Sequence, residues 1–374
     1  MSTMDTPKFS VTATDGSARV GKLSMARHSL ETPTFMPVGT RGSVRTLTSS
    51  DLEDLGADII LGNTYHLMLR PGEELIENHG GLHEFSDWKR LILTDSGGYQ
   101  IFSLGPEVDD EGVTFKSTYD GSLHRLTPQR AVDIQCSLGA DIQMALDVCP
   151  PLPSDRSVIQ TSVDRTGLWA EQARNYFLKR RDRENFNYSQ FGIVQGGLDL
   201  SLRRISGEQI VGIGFDGYAI GGLSVGESRA EMIEPMAASI ETLPIDRPRY
   251  FMGLGDPAGL VEAVNLGIDM FDCVWPTRLA RHGTALTSEG RINLGAARYA
   301  KSDIPIDPNF PQSPAGRWSR SYLRHLLSVG EPAAARLLTL HNLAWLFDMM
   351  KRMRQSIDEG SFQQFRSQIL EIWA

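Results

Sequence analysis

The stretch Gly267–Gly283 reads GIDMFDCVWPTRLARHG. Its first half, Met270–Trp275, is an apolar run with a single carboxylate, Asp272, inside it. Pro276 breaks the run, and two arginines, Arg278 and Arg281, follow the break. Unbroken rather than alternating apolarity fits a strand covered on both faces, as in a parallel sheet. A carboxylate in such a strand is costly unless it is paired or used, because desolvation disfavours its charge. Asp272 therefore reads as a nucleophile or acid beside a site for a polyanion. The plainer alternative is a turn cap followed by two solvated arginines.

Seven more runs of the same kind precede it: Thr34–Val38, Asp58–Asn63, Leu91–Gly97, Asp141–Asp147, Phe191–Gly196, Tyr218–Leu223 and Tyr250–Gly255. Helical segments with recognisable starts lie between them. Thr48 to Asp51 offers an N-cap with Gly56 as a left-handed stop, and Thr127-Pro128 puts proline in a first turn. Strand and helix alternating eight times predict an α/β chain closed into a (β/α)8 TIM barrel over residues 1–282. A doubly wound open sheet is the alternative. Two parts leave the repeat. Gly105–Leu126 predicts a β-hairpin insertion (about 105–126) with Asp120-Gly121 at its turn. Residues 283–374 predict a basic, mixed and mainly helical C-terminal subdomain packed on the barrel, with an extended Pro-rich segment at Ile304–Ala315.

The totals agree with a large single core: 374 residues, 41% of them hydrophobic. No apolar run reaches membrane-spanning length, and the opening MSTMDTPKFSVTA lacks a leader pattern. Cys136, Cys149 and Cys273 are too few and too scattered for a disulfide framework or a four-ligand zinc site, so a reducing cytoplasm is expected. The net charge of −9 excludes a generally basic coat. Between Cys273 and Leu326, however, eight Lys or Arg face three acids, a local +5 that suits phosphate binding.

In a barrel the chemistry sits where strands finish. The run ends supply Asn63, Asp95, Asp147, Gln195, Gly221-Gly222-Leu223 and Asp272. There is no Ser-His-Asp pattern, phosphate loop or histidine cluster, and His66 stands alone. What remains is carboxylate chemistry, one Asp as nucleophile and another as acid/base, as substitution at a sugar anomeric carbon requires. Asp, Gln and glycine backbone could read the edge of a heterocyclic base, with Tyr99 and Met252 against its faces.

DSGGYQIFSL (Asp95–Leu104), Gln195-Gly196-Gly197, GGLSVGE (Gly221–Glu227) and FDCVWPTRLAR (Phe271–Arg281) closely resemble bacterial tRNA-guanine transglycosylase. NTYHLMLRPG (Asn63–Gly72) and DGSLHRLTP (Asp120–Pro128) are similar too, so the resemblance covers essentially the whole chain. It implies a (β/α)8 barrel that exchanges guanine at the wobble position of GUN-anticodon tRNAs for a 7-deazaguanine. By the same resemblance Asp272 is the nucleophile on the ribose and Asp95 the acid/base. Asp147, Gln195, Gly222 and Leu223 read the base, Tyr99 and Met252 stack on it, and Arg278 and Arg281 hold the anticodon loop. Cys149 and Val225 favour 7-aminomethyl-7-deazaguanine (preQ1) over queuine as the incoming base. The resemblance also implies a homodimer. The alternatives are a queuine-salvaging enzyme, a non-catalytic tRNA-binding partner subunit, or exchange on another polynucleotide; retention of both Asp95 and Asp272 argues against the silent subunit.

One departure stands out. The family carries a C-terminal zinc site built from Cys-x-Cys-x-x-Cys and a later His. Here Phe310, Gln312 and Ala315 stand at the three thiolate positions and only His341 remains. One imidazole cannot hold structural zinc, so a zinc-free member without a cofactor is expected, with apolar packing in place of the metal.

Overall fold

The structure, a computed structural model, describes residues 7–374; MSTMDT, the first half of the stretch read for a leader, lies outside them. Sixteen strands form four sheets. Strands β1 (Lys8–Asp15), β2 (Ala18–Ser24) and β3 (Ser29–Thr32) make an antiparallel meander. The eight barrel strands are β4 (Thr34–Gly39), β5 (Ile59–Gly62), β6 (Leu91–Thr94), β10 (Ile142–Met144), β11 (Ser189–Val194), β12 (Gly217–Ile220), β13 (Arg249–Phe251) and β14 (Met270–Cys273). They pair in parallel around a closed ring in chain order, β14 returning to β4 through Met270↔Thr34 and Phe271↔Phe35. Each coincides with one of the eight apolar runs. Within the insertion, β8 (Val113–Lys116) and β9 (Leu123–Leu126) form the expected hairpin, and short β7 (Glu107–Val108) adds a third strand. The hairpin β15 (Thr284–Thr287) and β16 (Gly290–Asn293) opens the C-terminal region.

The unbroken apolarity of the runs has a direct cause. Alternate residues Ile59, Leu61, Leu91, Leu93, Ile142, Met144, Phe191 and Ile193 fill the barrel interior. Their neighbours Ile60, Ile92, Val194 and Phe271 face outward under the helices. Both sides of each strand are buried, so neither may be polar. Phe9, Leu23 and Leu30 of the meander join the interior cluster and plug its lower end. That end is pinned by Arg19, buried and donating to Asp269 at 2.5 and 2.9 Å and to the carbonyls of Ile245 and Arg247. Asp269 also accepts from the Arg249 amide at 2.7 Å, so the buried charge is fully hydrogen-bonded.

The helix starts follow their caps. Thr48 and Asp51 form a capping box for Ser49–Asp54, and Thr127 caps Pro128–Ser137. The long helix Arg156–Glu184 anchors the insertion, its Trp169 indole donating to the Asp110 carbonyl at 3.0 Å.

In the C-terminal region the helix Pro332–Asp358 packs on β1, β2, β4 and the short helix Trp275–Arg281, and buries Leu346, Met349, Met350 and Met353 in the main core. It thus covers β4 and the helix that follows β14. The segment Ile304–Ala315 is not extended as expected but folds into successive turns. Asp307 causes this: its carboxylate accepts from the amides of Ser288 (2.6 Å) and Asn309 (3.0 Å), and its carbonyl accepts from Phe310 N. Among the described residues no helix is long and apolar enough to cross a membrane.

Candidate active site

Parallel pairing brings every strand end to one mouth, and the three strand-end aspartates meet there. Asp95 follows β6 and is held by local backbone. Its Oδ1 accepts from the amides of Thr64 (2.8 Å) and Gly97 (3.2 Å), and its Oδ2 accepts from Asn63 Nδ2 at 2.6 Å. Burial nevertheless pushes its carboxyl up to about 7, with repulsion from Asp272 and Asp147 adding to the shift. A carboxyl poised there can both give and take a proton near neutral pH.

Asp272 ends β14. Its Oδ1 accepts from the Tyr250 hydroxyl at 2.6 Å and the Gly253 amide at 2.8 Å, whereas Oδ2 has no hydrogen-bond partner among the described residues. Burial raises this carboxyl and the two donors pull it back. One oxygen is fixed and the other is free to attack.

Asp147, after β10, lies across the ring from Asp272, four strands away. Its Oδ2 accepts from Gln195 Nε2 at 2.7 Å and its Oδ1 from Ser96 Oγ at 3.4 Å, while burial pushes it up to about 6. With Nε2 turned to the carboxylate, the Gln195 amide oxygen is buried without a partner. An orphaned buried acceptor is costly, and a ligand donor would satisfy it. Gly222 lies against this amide at φ +66°; a Cβ there would come within 2.3 Å of the Gln195 oxygen. Only glycine permits that approach.

Leu223 is buried beside these groups. The Cys149 thiol is pushed up to about 12 by burial, with Asp147 adding to the shift, so it lines the pocket as a neutral group. Tyr99 (59% exposed) lies on the short helix Gly98–Phe102 after β6 and half-buried Met252 on the turn after β13, strands diametrically opposed in the ring. Arg278 is exposed and Arg281 half-buried on the helix Trp275–Arg281. Arg281 is pulled below the usual arginine range by burial and by its neighbours Arg45 and Arg278, a cationic cluster without a counter-charge of its own.

Several contributors carry no motif of their own. Tyr250 looks like one more aromatic in an apolar run, yet its hydroxyl positions Asp272. Asn63, by contrast, opens the NTYHLMLRPG motif, and it holds Asp95. Arg203, fully buried, donates to the carbonyls of Gly197 (2.8 Å), Val194 (3.1 Å), Gly221 (2.8 Å) and Gly222 (3.2 Å). It ties the Gln195 loop to the Gly222 loop. Its place in the first turn of the helix Leu200–Ile213 gave no sign of this.

Away from the mouth, the positions of the expected thiolates hold no metal-binding chemistry. Phe310 meets the His341 ring edge-to-face at 5.9 Å, Ala315 is fully buried among Ile306, Leu323 and Leu338, and Gln312 points toward Asp348. His341 Nε2 lies 2.7 Å from the Leu286 carbonyl, which can only accept, so Nε2 donates and Nδ1 accepts from Ser313 Oγ at 2.7 Å. Burial pushes this imidazole down to about 4 and keeps it neutral. Among the described residues no three His, Cys, Asp or Glu groups come together as a metal site. The donors present do not fit zinc.

The model of the family described as queuine tRNA-ribosyltransferase matches residues 14–374. The chain belongs to that family. Relatives named queuine tRNA-ribosyltransferase include those of Solidesulfovibrio magneticus, 50% identical over 96% of both chains, and Thermotoga neapolitana, 48% identical over 98% of both. The Zymomonas mobilis relative is 48% identical over 96% of this chain and 94% of its own. A free carboxylate oxygen, a proton-holding carboxyl and an unpartnered buried amide oxygen are groups that a transferase acting on a ribose can use.

Proposed function

We propose that this chain is a tRNA-guanine transglycosylase that replaces guanine at the wobble position of GUN-anticodon tRNAs with a 7-deazaguanine, preQ1 in preference to queuine, in queuosine biosynthesis. The observation that carries this is the division of labour between two carboxylates: Asp272 with one oxygen fixed and one free, Asp95 with a proton to exchange near pH 7. Asp272 Oδ2 attacks C1′ of the target ribose while the bond to guanine breaks, and Asp95 protonates the departing base. A covalent ribosyl ester of Asp272 results. Asp95, now ionised, takes a proton from the incoming base, whose nitrogen attacks C1′ and releases the Asp272 carboxylate. Asp147, Gln195, Gly222 and Leu223 read the base edge, Cys149 lines its pocket, and Tyr99 and Met252 cover its faces. Arg278 and Arg281 hold the anticodon loop phosphates.

The catalytic region is the barrel, 1–282. Residues 283–374 are the counterpart of the family's zinc subdomain, here metal-free. The protein works without a cofactor, as a homodimer, in the cytoplasm. Support for the metal-free reading is the neutral His341 and the aromatic ring beside it. The non-catalytic subunit is disfavoured because both reacting carboxylates are present.

The test is transfer of radiolabelled guanine into unmodified tRNA bearing a GUN anticodon. Wild-type protein labels the tRNA and Asp272→Ala does not; label retained by that variant would remove the nucleophile assignment. Competition between preQ1 and queuine sets the base, sedimentation the oligomer, and metal analysis the zinc content.

A further inference from the structure

Tyr119 lies on the turn of the insertion between β8 and β9, and two guanidinium groups lie over its ring. Arg70 is 4.6 Å from the ring centroid and Arg41 is 5.5 Å from it. Arg41 comes from the loop after β4 and Arg70 from the segment after β5, and both are exposed. Among the described residues neither has a carboxylate to neutralise it: Glu73, the acid closest to Arg70 in sequence, is held by Arg130. Two like charges brought to one ring without a counter-charge repel each other, and an anion placed between them relieves that cost.

The pair is also tied to the reacting site. The Tyr119 hydroxyl meets His66 Nδ1 at 2.9 Å, the His66 amide donates to Asn63 Oδ1 at 3.1 Å, and Asn63 Nδ2 donates to Asp95. Tyr65, next in the chain, fixes the same turn through Thr118 at 2.9 Å. The insertion therefore does not hang free: its tip is seated on the segment that orients Asp95. Around the ring, β14, β4 and β5 are consecutive. Arg278 and Arg281, then Arg45, Arg41 and Arg70, thus follow one another along one side of the mouth.

We propose that Arg41 and Arg70, gathered on Tyr119, are a second RNA-backbone contact, which extends the cationic track from Arg278 and Arg281 toward the insertion and grips the strand as it leaves the anticodon loop. This rests on the transglycosylase reading above for the identity of the RNA. The site is a backbone contact because exposed guanidinium groups over a half-buried ring offer charge and donors but no enclosed edge for reading a base.

The experiment compares wild type, the R41A/R70A double variant, the charge-keeping R41K/R70K double variant and R352A, a control on the helix Pro332–Asp358 where Arg352 pairs with Asp348. Labelled-guanine exchange and filter binding are both measured with unmodified GUN-anticodon tRNA across a salt series. In R41A/R70A, KM for tRNA rises about tenfold or more, and the slope of log affinity against log salt falls by roughly 1.4, two contacts at ~0.7 each. Turnover at saturating tRNA and KM for guanine stay within about a factor of three. R41K/R70K recovers most of the affinity, as a structural role would not allow. Unchanged KM and salt slope in R41A/R70A overturn the proposal, and so does an equal loss in R352A. If wild-type protein transfers no guanine, the transglycosylase reading falls by itself, and filter binding of the same tRNA still decides this one.

Discussion

The barrel mouth and the turns between Ile304 and Ser319 solve opposite problems. At the mouth, Asp95, Asp147 and Asp272 are kept close together and partly desolvated, and all three are pushed up from the ordinary carboxylate range. Against the turns, His341 of the helix Pro332–Asp358 is held neutral between Ser313 and Leu286. The first region tolerates electrostatic strain because the strain is useful. The second is held together by apolar contact and hydrogen bonds. The contrast teaches that one fold can hold buried, repelling charge at its mouth while its periphery rests on neutral, closely packed groups.

The sharpest break in this contrast is Asp272→Asn. Exchange should fall on the order of 10⁴-fold with no covalent RNA adduct trapped. The thermal midpoint should be at least that of wild type, because one member of a repelling carboxylate group is gone. A midpoint that drops by many degrees would show that Asp272 is structural instead. Next in size, Asp95→Asn should cost about 10²–10⁴-fold. In wild type the rate of guanine departure falls as pH rises through about 7, where Asp95 loses its proton; the variant should lack that limb in single-turnover assays.

On the other side, His341→Ala should lower unfolding free energy by about 2–4 kcal/mol, from a cavity plus two unpaired partners, measured by denaturant titration. His341 also gives a pH signature. Its folded value of about 4 lies below the ordinary 6.5, so its stabilisation is complete above 6.5 and is lost as pH falls toward 4. The loss amounts to about 3 kcal/mol, and a His341→Gln variant, which does not titrate, should lack the slope. The smallest effect is the most telling: incubation with a strong zinc chelator should change neither midpoint nor activity. A drop of ten degrees would return a metal to this region.

How much of this was legible follows from where each residue finds its partner. The eight barrel strands stood out because burial on both faces leaves no polar alternation. The meander β1–β3 was passed over for the converse reason: KFSVTATD alternates, as half-buried strands do, and Asp15-Gly16 marks its turn, so the signal existed in a different period. Asp95, Asp147 and Asp272 were readable as strand ends. Tyr250, Arg203 and Asp269 were not, because what defines each is a partner reached through the fold, such as Arg19, 250 positions from Asp269. The turns of Ile304–Ala315 were misread as extended because proline content suggested stiffness, whereas the Asp307 carboxylate winds the chain around itself.

The helix Pro332–Asp358 has one more consequence. It covers the earliest barrel strand, β4, and the helix that follows the latest, so that side of the ring is closed by an element made long after the strand it covers. On a ribosome, β4 and the Phe35 side of its surface must wait, uncovered, while some three hundred further residues emerge. Synthesis thus leaves that side of the barrel open for most of its course, and even once Asp272 has emerged about sixty further residues must follow before the covering helix begins.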